Sequence, residues 1–150
     1  GIGLMMLLAF RSLPLALAAL VPNALPILVV TGWMGWLGVR INMGAAMIAA
    51  VSMGLAVDSS VHYLTAYRRH RAAGQSVYDS LAAVHQRVGR AMIFSTLALV
   101  VGFSGLSLSR FVPTIYFGVL VSLTMLGGML GNLVVLPLLI RLIDREKPPA

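Results

Sequence analysis

The chain alternates long runs of apolar residues with short polar clusters. The apolar runs cover residues 14–37, 41–67, 91–109 and 113–140. A helix rises about 1.5 Å per residue and the hydrocarbon core of a bilayer is about 30 Å thick, so one crossing needs about 20 apolar residues. The pattern therefore predicts four membrane-spanning helices.

Two shorter segments differ from these runs. Residues 1–11 are apolar but too few to cross a bilayer, and we expect them to be the end of a truncated spanning helix cut from a longer chain. Residues 75–89 carry apolar side chains at helical spacing, and Ser76 and Asp79 fit a capping box. This second segment is expected to form an amphipathic helix at the cytoplasmic membrane interface.

The composition indicates that a bilayer is the solvent. Of the 150 residues, 59% are hydrophobic and 10% are charged, and the mean hydropathy is +0.95, whereas soluble proteins carry about 25% charged residues. With a polar tail at 144–150, the predicted fold class is an all-α polytopic membrane protein whose transmembrane domain covers residues 1–143. The absence of cysteine from the sequence excludes disulfides and thiolate metal sites.

The net charge of +7 is distributed unevenly along the chain. No basic stripe is interleaved with stacking aromatic residues, so a nucleic-acid-binding function is excluded. Arg40 and Arg110 fall on one side of the predicted spans, and nine basic residues fall on the other: Arg11, Arg68, Arg69, Arg71, Arg87, Arg90, Arg141, Arg145 and Lys147. Because cytoplasmic loops carry the excess of Lys and Arg, the second side is predicted to be cytoplasmic.

Asp58 is the one acidic residue within a predicted span. Its distance in sequence from Arg68 places it about 15 Å from the cytoplasmic edge. A charge at that depth costs roughly 2.5–3.5 kcal/mol, and acids held there are functional by default. We interpret Asp58 as a proton carrier, with a structural ion pair to a helix outside this chain as the alternative. His62, one turn away, is either a relay partner or a packing residue, and two such ligands do not make a metal site.

Hydroxyl and small residues surround this position. Ser59 is a candidate relay residue, although Ser59 and Ser60 are more readily interpreted as bonding back to their own helix. Ser95 and Thr96 in the third span could bond to Asp58 across the helices, with local back-bonding as an equal alternative. Four small residues are expected to let helices pack closely: Ala50, Gly54, Gly127 and Gly131.

The ordered motifs resemble one known superfamily. Residues 54–64 (GLAVDSSVHYL) resemble the GxxxD helix of the resistance-nodulation-division (RND) superfamily, and 22–26 (PNALP) resemble the proline pair of the preceding helix. Residues 95–103 and 117–120 (FGVL) resemble the later helices. The resemblance covers nearly the whole chain and is strongest to MMPL-type lipid exporters and predicted RND exporters. Asn132 stands where an acid is frequent in that group.

The resemblance implies a transporter of twelve spans in two similar halves, each with a large extracytoplasmic domain after its first helix. This chain would supply the last five helices of one half, and it resembles the second half more. In the superfamily, the GxxxD helices of the two halves face each other and carry the proton relay. The resemblance therefore assigns Asp58 to the relay and Thr96 to a polar partner position.

The expected function is proton-driven export of hydrophobic or lipid-like substrates across a bacterial cytoplasmic (inner) membrane, with neither catalysis nor a cofactor. The expected partners are the other transmembrane half and the extracytoplasmic domains of the same protein, membrane lipid, the substrate and protons, while homo-oligomer formation stays open. Two alternatives are a SecDF-like accessory of protein export and a sterol-sensing-type regulatory domain, for which Asp58 would be dispensable. His62 and the Phe94–Leu97 segment favour the exporter over the first alternative.

Overall fold

Every element is a helix in the part of the chain that the structure describes, which is residues 2–11, 13–38 and 43–144. The computed structural model contains seven α-helices within those residues. In chain order they are α1 (Ile2–Phe10), α2 (Leu13–Trp36), α3 (Met43–Ala72), α4 (Val77–Val84), α5 (Arg90–Ser104), α6 (Val112–Leu130) and α7 (Leu136–Asp144). The predicted tail beyond Asp144, and the start of the second predicted span at 41–42, lie outside the described residues.

Within the described residues, four helical stretches are long and apolar enough to cross a bilayer. They are Leu13–Trp36, Ala46–Ala72, Val77–Leu108 and Val112–Ile143. They confirm the predicted number of full spans and the predicted all-α membrane class. The short apolar helix α1 precedes them, as the pattern at 1–11 indicated.

The predicted amphipathic segment is not a separate helix. It begins at α4, where the Ser76 hydroxyl caps the helix by accepting a hydrogen bond from the Asp79 backbone N–H at 3.1 Å. The Asp79 carboxylate accepts from the Ser76 hydroxyl at 2.8 Å, so the structure shows the N-cap half of the predicted capping box. A π-helical turn at His85–Gly89 then joins α4 directly to α5. Such a turn absorbs an extra residue without ending the helix. The predicted segments 75–89 and 91–109 therefore belong to one continuous helical stretch, Val77–Leu108.

The second span extends beyond its predicted end at Tyr67. Helix α3 continues to Ala72 and carries the basic cluster on its last turns. It ends before Gly74, whose φ of +84° lies in the left-handed region that favours glycine. Arginine and alanine are good helix formers, so nothing between Tyr67 and Ala72 stops the helix.

Helix α3 packs against α2, α4 and α6. Helix α5 packs against α6, and α1 packs against α2. A second π-helical turn, Gly131–Val135, connects α6 to α7. The large side chains Tyr63, Leu64 and Tyr67 of α3 are fully buried against residues of α1, α4 and α7. This packing fixes which face of α3 turns inward and which is left open.

Candidate functional site

The exposed face of α3 carries Asp58. The side chain of Asp58 is 74% exposed and that of His62 is 73% exposed. Ala50 and Gly54, which precede Asp58 on the same face, are also exposed. A Cβ added at Gly54 would meet nothing within 4 Å. The predicted close packing at Ala50 and Gly54 is therefore not provided by the described part of this chain and stays a prediction.

Asp58 and His62 lie one helical turn apart, as their spacing indicated. The distance from Asp58 Oδ1 to His62 Nε2 is 3.7 Å. That is too long for a hydrogen bond, but a protonated imidazole at this distance would interact favourably with the carboxylate. The geometry permits proton exchange through one intervening water or a small rotamer change, and the relay role of His62 stays a prediction.

The hydroxyls of Ser59 and Ser95 donate hydrogen bonds to carbonyls of their own helices. Ser59 donates to the carbonyl of Leu55 at 3.4 Å, which confirms its bond back to the helix. Ser95 donates to the carbonyl of Met92 at 3.1 Å. Thr96 is 5% exposed. The hydrogen bonds of the described residues include none from Ser95 or Thr96 to Asp58, whose closest charged neighbour is His62. The expected bonds across the helices stay a prediction.

The opposite face of α3 contains a closed ring of three buried polar side chains. Asn23 of α2 donates through Nδ2 to Ser60 Oγ at 2.6 Å. Ser60 donates to Asn132 Oδ1 at 2.7 Å, and Asn132 donates through Nδ2 to Asn23 Oδ1 at 3.1 Å. All three residues are at most 1% exposed. The ring links α2, α3 and the π-helical turn that follows α6.

The remaining amide hydrogens of the ring also find acceptors. Asn23 Nδ2 donates to the carbonyl of Ala19 at 2.8 Å, and Asn132 Nδ2 donates to the carbonyl of Ala56 at 3.4 Å. Each amide therefore uses both of its hydrogens and its oxygen. Ser60 also lies 3.2 Å from the Ala56 carbonyl, but its shorter contact is the one across the helices. Complete satisfaction makes a buried polar cluster stabilising and specific.

Glycines of α6 and of the following turn meet prolines of α2 beside this ring. A Cβ added at Gly127 would lie 2.9 Å from Cβ of Pro26, and one added at Gly131 would lie 2.8 Å from the carbonyl oxygen of Pro22. Pro26 has no N–H, so the Pro22 carbonyl lacks its usual helical donor four residues on. Gly127 and Gly131, which are expected to let helices pack closely, thus lie against the proline pair of α2.

The ring is not predicted from the sequence. Asn23 and Asn132 enter only as parts of family-like motifs, and the sequence favours a bond from Ser60 to its own helix. The available signal was the presence of asparagine amides within apolar spans, because such groups bond across helices in a bilayer. Their mutual contact depends on the π-helical turn at Gly131–Val135, which no sequence pattern indicated.

The described residues hold no group of three or more His, Cys, Asp or Glu side chains that could bind a metal ion. The ionisable pair on the exposed face of α3 around Gly54 is Asp58 and His62.

Two comparisons with known proteins match nearly the whole chain, including both faces of α3. The model of the MMPL family matches residues 2–150. The membrane protein MJ1562 of Methanocaldococcus jannaschii is 26% identical over 149 residues, which are 99% of this chain and 38% of that relative. The chain thus spans well under half the length of the relative it matches. No solved structure matches the chain.

Proposed function

Because the chain belongs to the MMPL family, a group of membrane transporters within the RND superfamily, we propose that it forms the transmembrane part of a proton-driven exporter of hydrophobic or lipid-like substrates. One observation carries this proposal. Asp58 is 74% exposed at the middle of a spanning helix whose opposite face is fully packed. A carboxylate held at that depth needs a partner or a proton.

The open face of α3 fits an approaching helix. Ala50 and Gly54 present no bulky side chain, and small residues let two helix backbones come close together in a membrane. The proposed partner is the corresponding helix of the other half of the transporter. In that assembly Asp58 would lie between the halves, where water access can alternate as they rock.

Protonation of Asp58 would couple proton movement to this rocking. The neutral acid can be enclosed between apolar helices at a far lower free-energy cost than the carboxylate. His62 lies one turn further toward the basic end of α3, at 3.7 Å from the carboxylate, and could pass the proton onward. We place that end on the cytoplasmic side of the bacterial inner membrane, because nine basic residues lie there.

The membrane potential supplies the driving force. Moving one charge across it yields roughly 2.3 kcal/mol per 100 mV. The ring of Asn23, Ser60 and Asn132 would couple movement of α3 to its neighbours, because Ser60 is two residues from Asp58 and bonds to α2 and to the π-helical turn that follows α6. The three helices would then move as one body.

The test replaces Asp58 by Asn in the intact transporter, reconstituted in proteoliposomes with an imposed proton gradient. Proton uptake and efflux of a hydrophobic substrate should both fall to the level of protein-free vesicles, because Asn cannot cycle a proton. Asp79→Asn is the matched control, since Asp79 is an exposed acid at the start of α4. That variant should transport like the unmodified protein.

Three other outcomes would contradict the proposal. Unchanged proton uptake and efflux in the Asp58→Asn protein would favour a regulatory domain without transport. Loss of proton uptake together with impaired protein export, but no efflux of small hydrophobic substrates, would favour a protein-export accessory. Equal losses in the Asp58→Asn and Asp79→Asn proteins would show that neither acid is specific to the relay.

A further inference from the structure

A cavity of about 340 Å³ lies away from Asp58. It is bounded by α3, by α4 with the π-helical turn that follows it, and by α7. Five of the residues that line it carry polar groups: Tyr63, Tyr78, His85, Gln86 and Arg141. This volume falls within the range of small-molecule sites. The cavity is near the end of the bundle where α3 finishes in its basic cluster.

A second cavity, of about 550 Å³, adjoins the first and shares two of its lining residues, Tyr78 and Arg141. Its remaining lining is apolar and comes from Val77 of α4 and from Leu138 and Leu142 of α7. The two cavities together form a groove, called here the α4–α7 groove, with a polar part and an apolar part. Arg141 and Tyr78 stand at the junction of the two parts.

The polar part of the groove contains one buried hydrogen-bond donor that has no acceptor among the described residues. The Tyr63 hydroxyl is fully buried and has no hydrogen-bond partner among the described residues. A buried donor of this kind is destabilising unless a bound group accepts from it. The two acidic side chains that the structure describes are engaged elsewhere, Asp58 with His62 and Asp79 with Ser76. Neither therefore neutralises Arg141.

We propose that the α4–α7 groove binds an anionic phospholipid from the leaflet at the basic end of the spans. The headgroup phosphate would accept hydrogen bonds from Arg141 and from the tyrosine hydroxyls, and an acyl chain would lie along Leu138 and Leu142. A guanidinium matches the geometry of a phosphate. Basic pockets between spanning helices on the cytoplasmic side suit anionic headgroups. A soluble anion would leave the apolar part of the groove unfilled.

This proposal does not depend on the relay. None of the five polar residues of the groove lies on the exposed face of Asp58, so lipid binding and proton transport can be tested separately. The intact transporter is placed in nanodiscs that contain phosphatidylcholine and a small fraction of phosphatidylglycerol. The retained phosphatidylglycerol is then quantified by native mass spectrometry.

The substitution Arg141→Gln should lower the affinity for phosphatidylglycerol about tenfold, the effect expected when a charged hydrogen bond is lost. Tyr63→Phe keeps the packed ring and removes only the unpartnered hydroxyl, and it should lower the affinity about threefold. Arg141→Lys should restore most of the binding. Arg110→Gln removes a charge from the other side of the spans and should leave binding unchanged.

Several results would overturn the proposal. Equal losses in the Arg141→Gln and Arg110→Gln proteins would indicate a general charge effect rather than a site. Equal retention of phosphatidylcholine and phosphatidylglycerol by the unmodified protein would show that the groove does not select an anion. Full displacement of phosphatidylglycerol by millimolar inorganic phosphate would assign the site to a soluble anion. Unchanged binding in the Tyr63→Phe and Arg141→Gln proteins would place the lipid elsewhere.

Discussion

The polar residues on the two faces of α3 differ in burial and in hydrogen bonding. Ser60 is fully buried and belongs to a ring whose amide groups all have partners. Asp58, two residues away, is 74% exposed, and its described partner is His62 at 3.7 Å. The buried face uses neutral groups, and the open face uses ionisable groups.

This difference follows from what each face has to do. Neutral amides and hydroxyls in an apolar interior can be satisfied completely by one another, and they then fix a single arrangement of helices. A carboxyl group that must gain and lose a proton cannot be satisfied in that permanent way. We propose that the inner face holds the bundle together and that the outer face receives a partner surface. Three experiments with substituted proteins test this division of roles, beginning with the largest expected effect.

The first experiment compares Gly131, which lies beside the buried ring, with Gly54, which lies on the exposed face of α3. Gly131→Ala places a Cβ 2.8 Å from the Pro22 carbonyl oxygen. A backbone atom cannot move aside easily, so the free energy of unfolding should fall by about 2 kcal/mol. Gly54→Ala adds a Cβ in open space, and the higher helix propensity of alanine should leave the stability unchanged or raise it slightly.

Thermal unfolding of the 150-residue chain in detergent micelles measures both glycine effects. If Gly54→Ala destabilises this chain as much as Gly131→Ala does, the face around Asp58 is not open. In the intact transporter Gly54→Ala should in addition slow transport, because the added methyl group faces the proposed partner helix.

The contact between Gly127, Gly131 and the prolines of α2 shows which parts of the fold the sequence predicted and which it did not. Apolar run lengths were sufficient for four spans, because bilayer thickness sets helix length directly. The pair Gly127 and Gly131 predicts close packing, and both glycines lie beside prolines of α2. Which surface they meet could not be predicted, since a glycine spacing does not specify the residues that lie opposite. The joining of α4 to α5 was missed for a similar reason, because π-helical turns have no clear sequence signal.

The second substitution breaks the inner ring. Ser60→Ala removes the donor to Asn132 Oδ1, which lies 2.7 Å away in the protein, and leaves that buried oxygen unsatisfied. The free energy of unfolding should fall by about 1.5 kcal/mol. Ser59→Ala is the matched control, because Ser59 bonds only to its own helix at 3.4 Å. Its effect should stay below about 0.5 kcal/mol.

Chemical denaturation in mixed micelles, at fixed detergent concentration, compares the two serine variants. A Ser59→Ala protein that is as unstable as the Ser60→Ala protein would show that the ring adds nothing specific. Restored stability in a Ser60→Thr protein, which keeps the hydroxyl, would support the ring geometry.

The sequence predicted more of the candidate site on the exposed face of α3 than on its buried face. Asp58 and His62 were identifiable because an acid within an apolar run is conspicuous and a four-residue spacing fixes a shared helix face. The ring was not identifiable, because Asn23 and Asn132 are 109 residues apart and meet only after three helices pack. The exposure of Asp58 could not be predicted from the sequence either, since it depends on which face of α3 the helices α2 and α6 cover.

The third and smallest effect concerns Ser52, a buried serine of α3 outside the ring. Ser52 is 1% exposed, and its hydroxyl has no hydrogen-bond partner in the described part of the chain. Replacing an unsatisfied buried hydroxyl by hydrogen removes a desolvation cost, so Ser52→Ala should leave the stability unchanged or raise it by about 0.5 kcal/mol. The sign is opposite to that of Ser60→Ala, although both substitutions remove one oxygen from the same helix. Thermal unfolding alongside the Ser60→Ala protein gives this sign directly, and a loss of 1 kcal/mol or more in the Ser52→Ala protein would mean that burial alone, rather than the closed ring, determines what a serine contributes to α3.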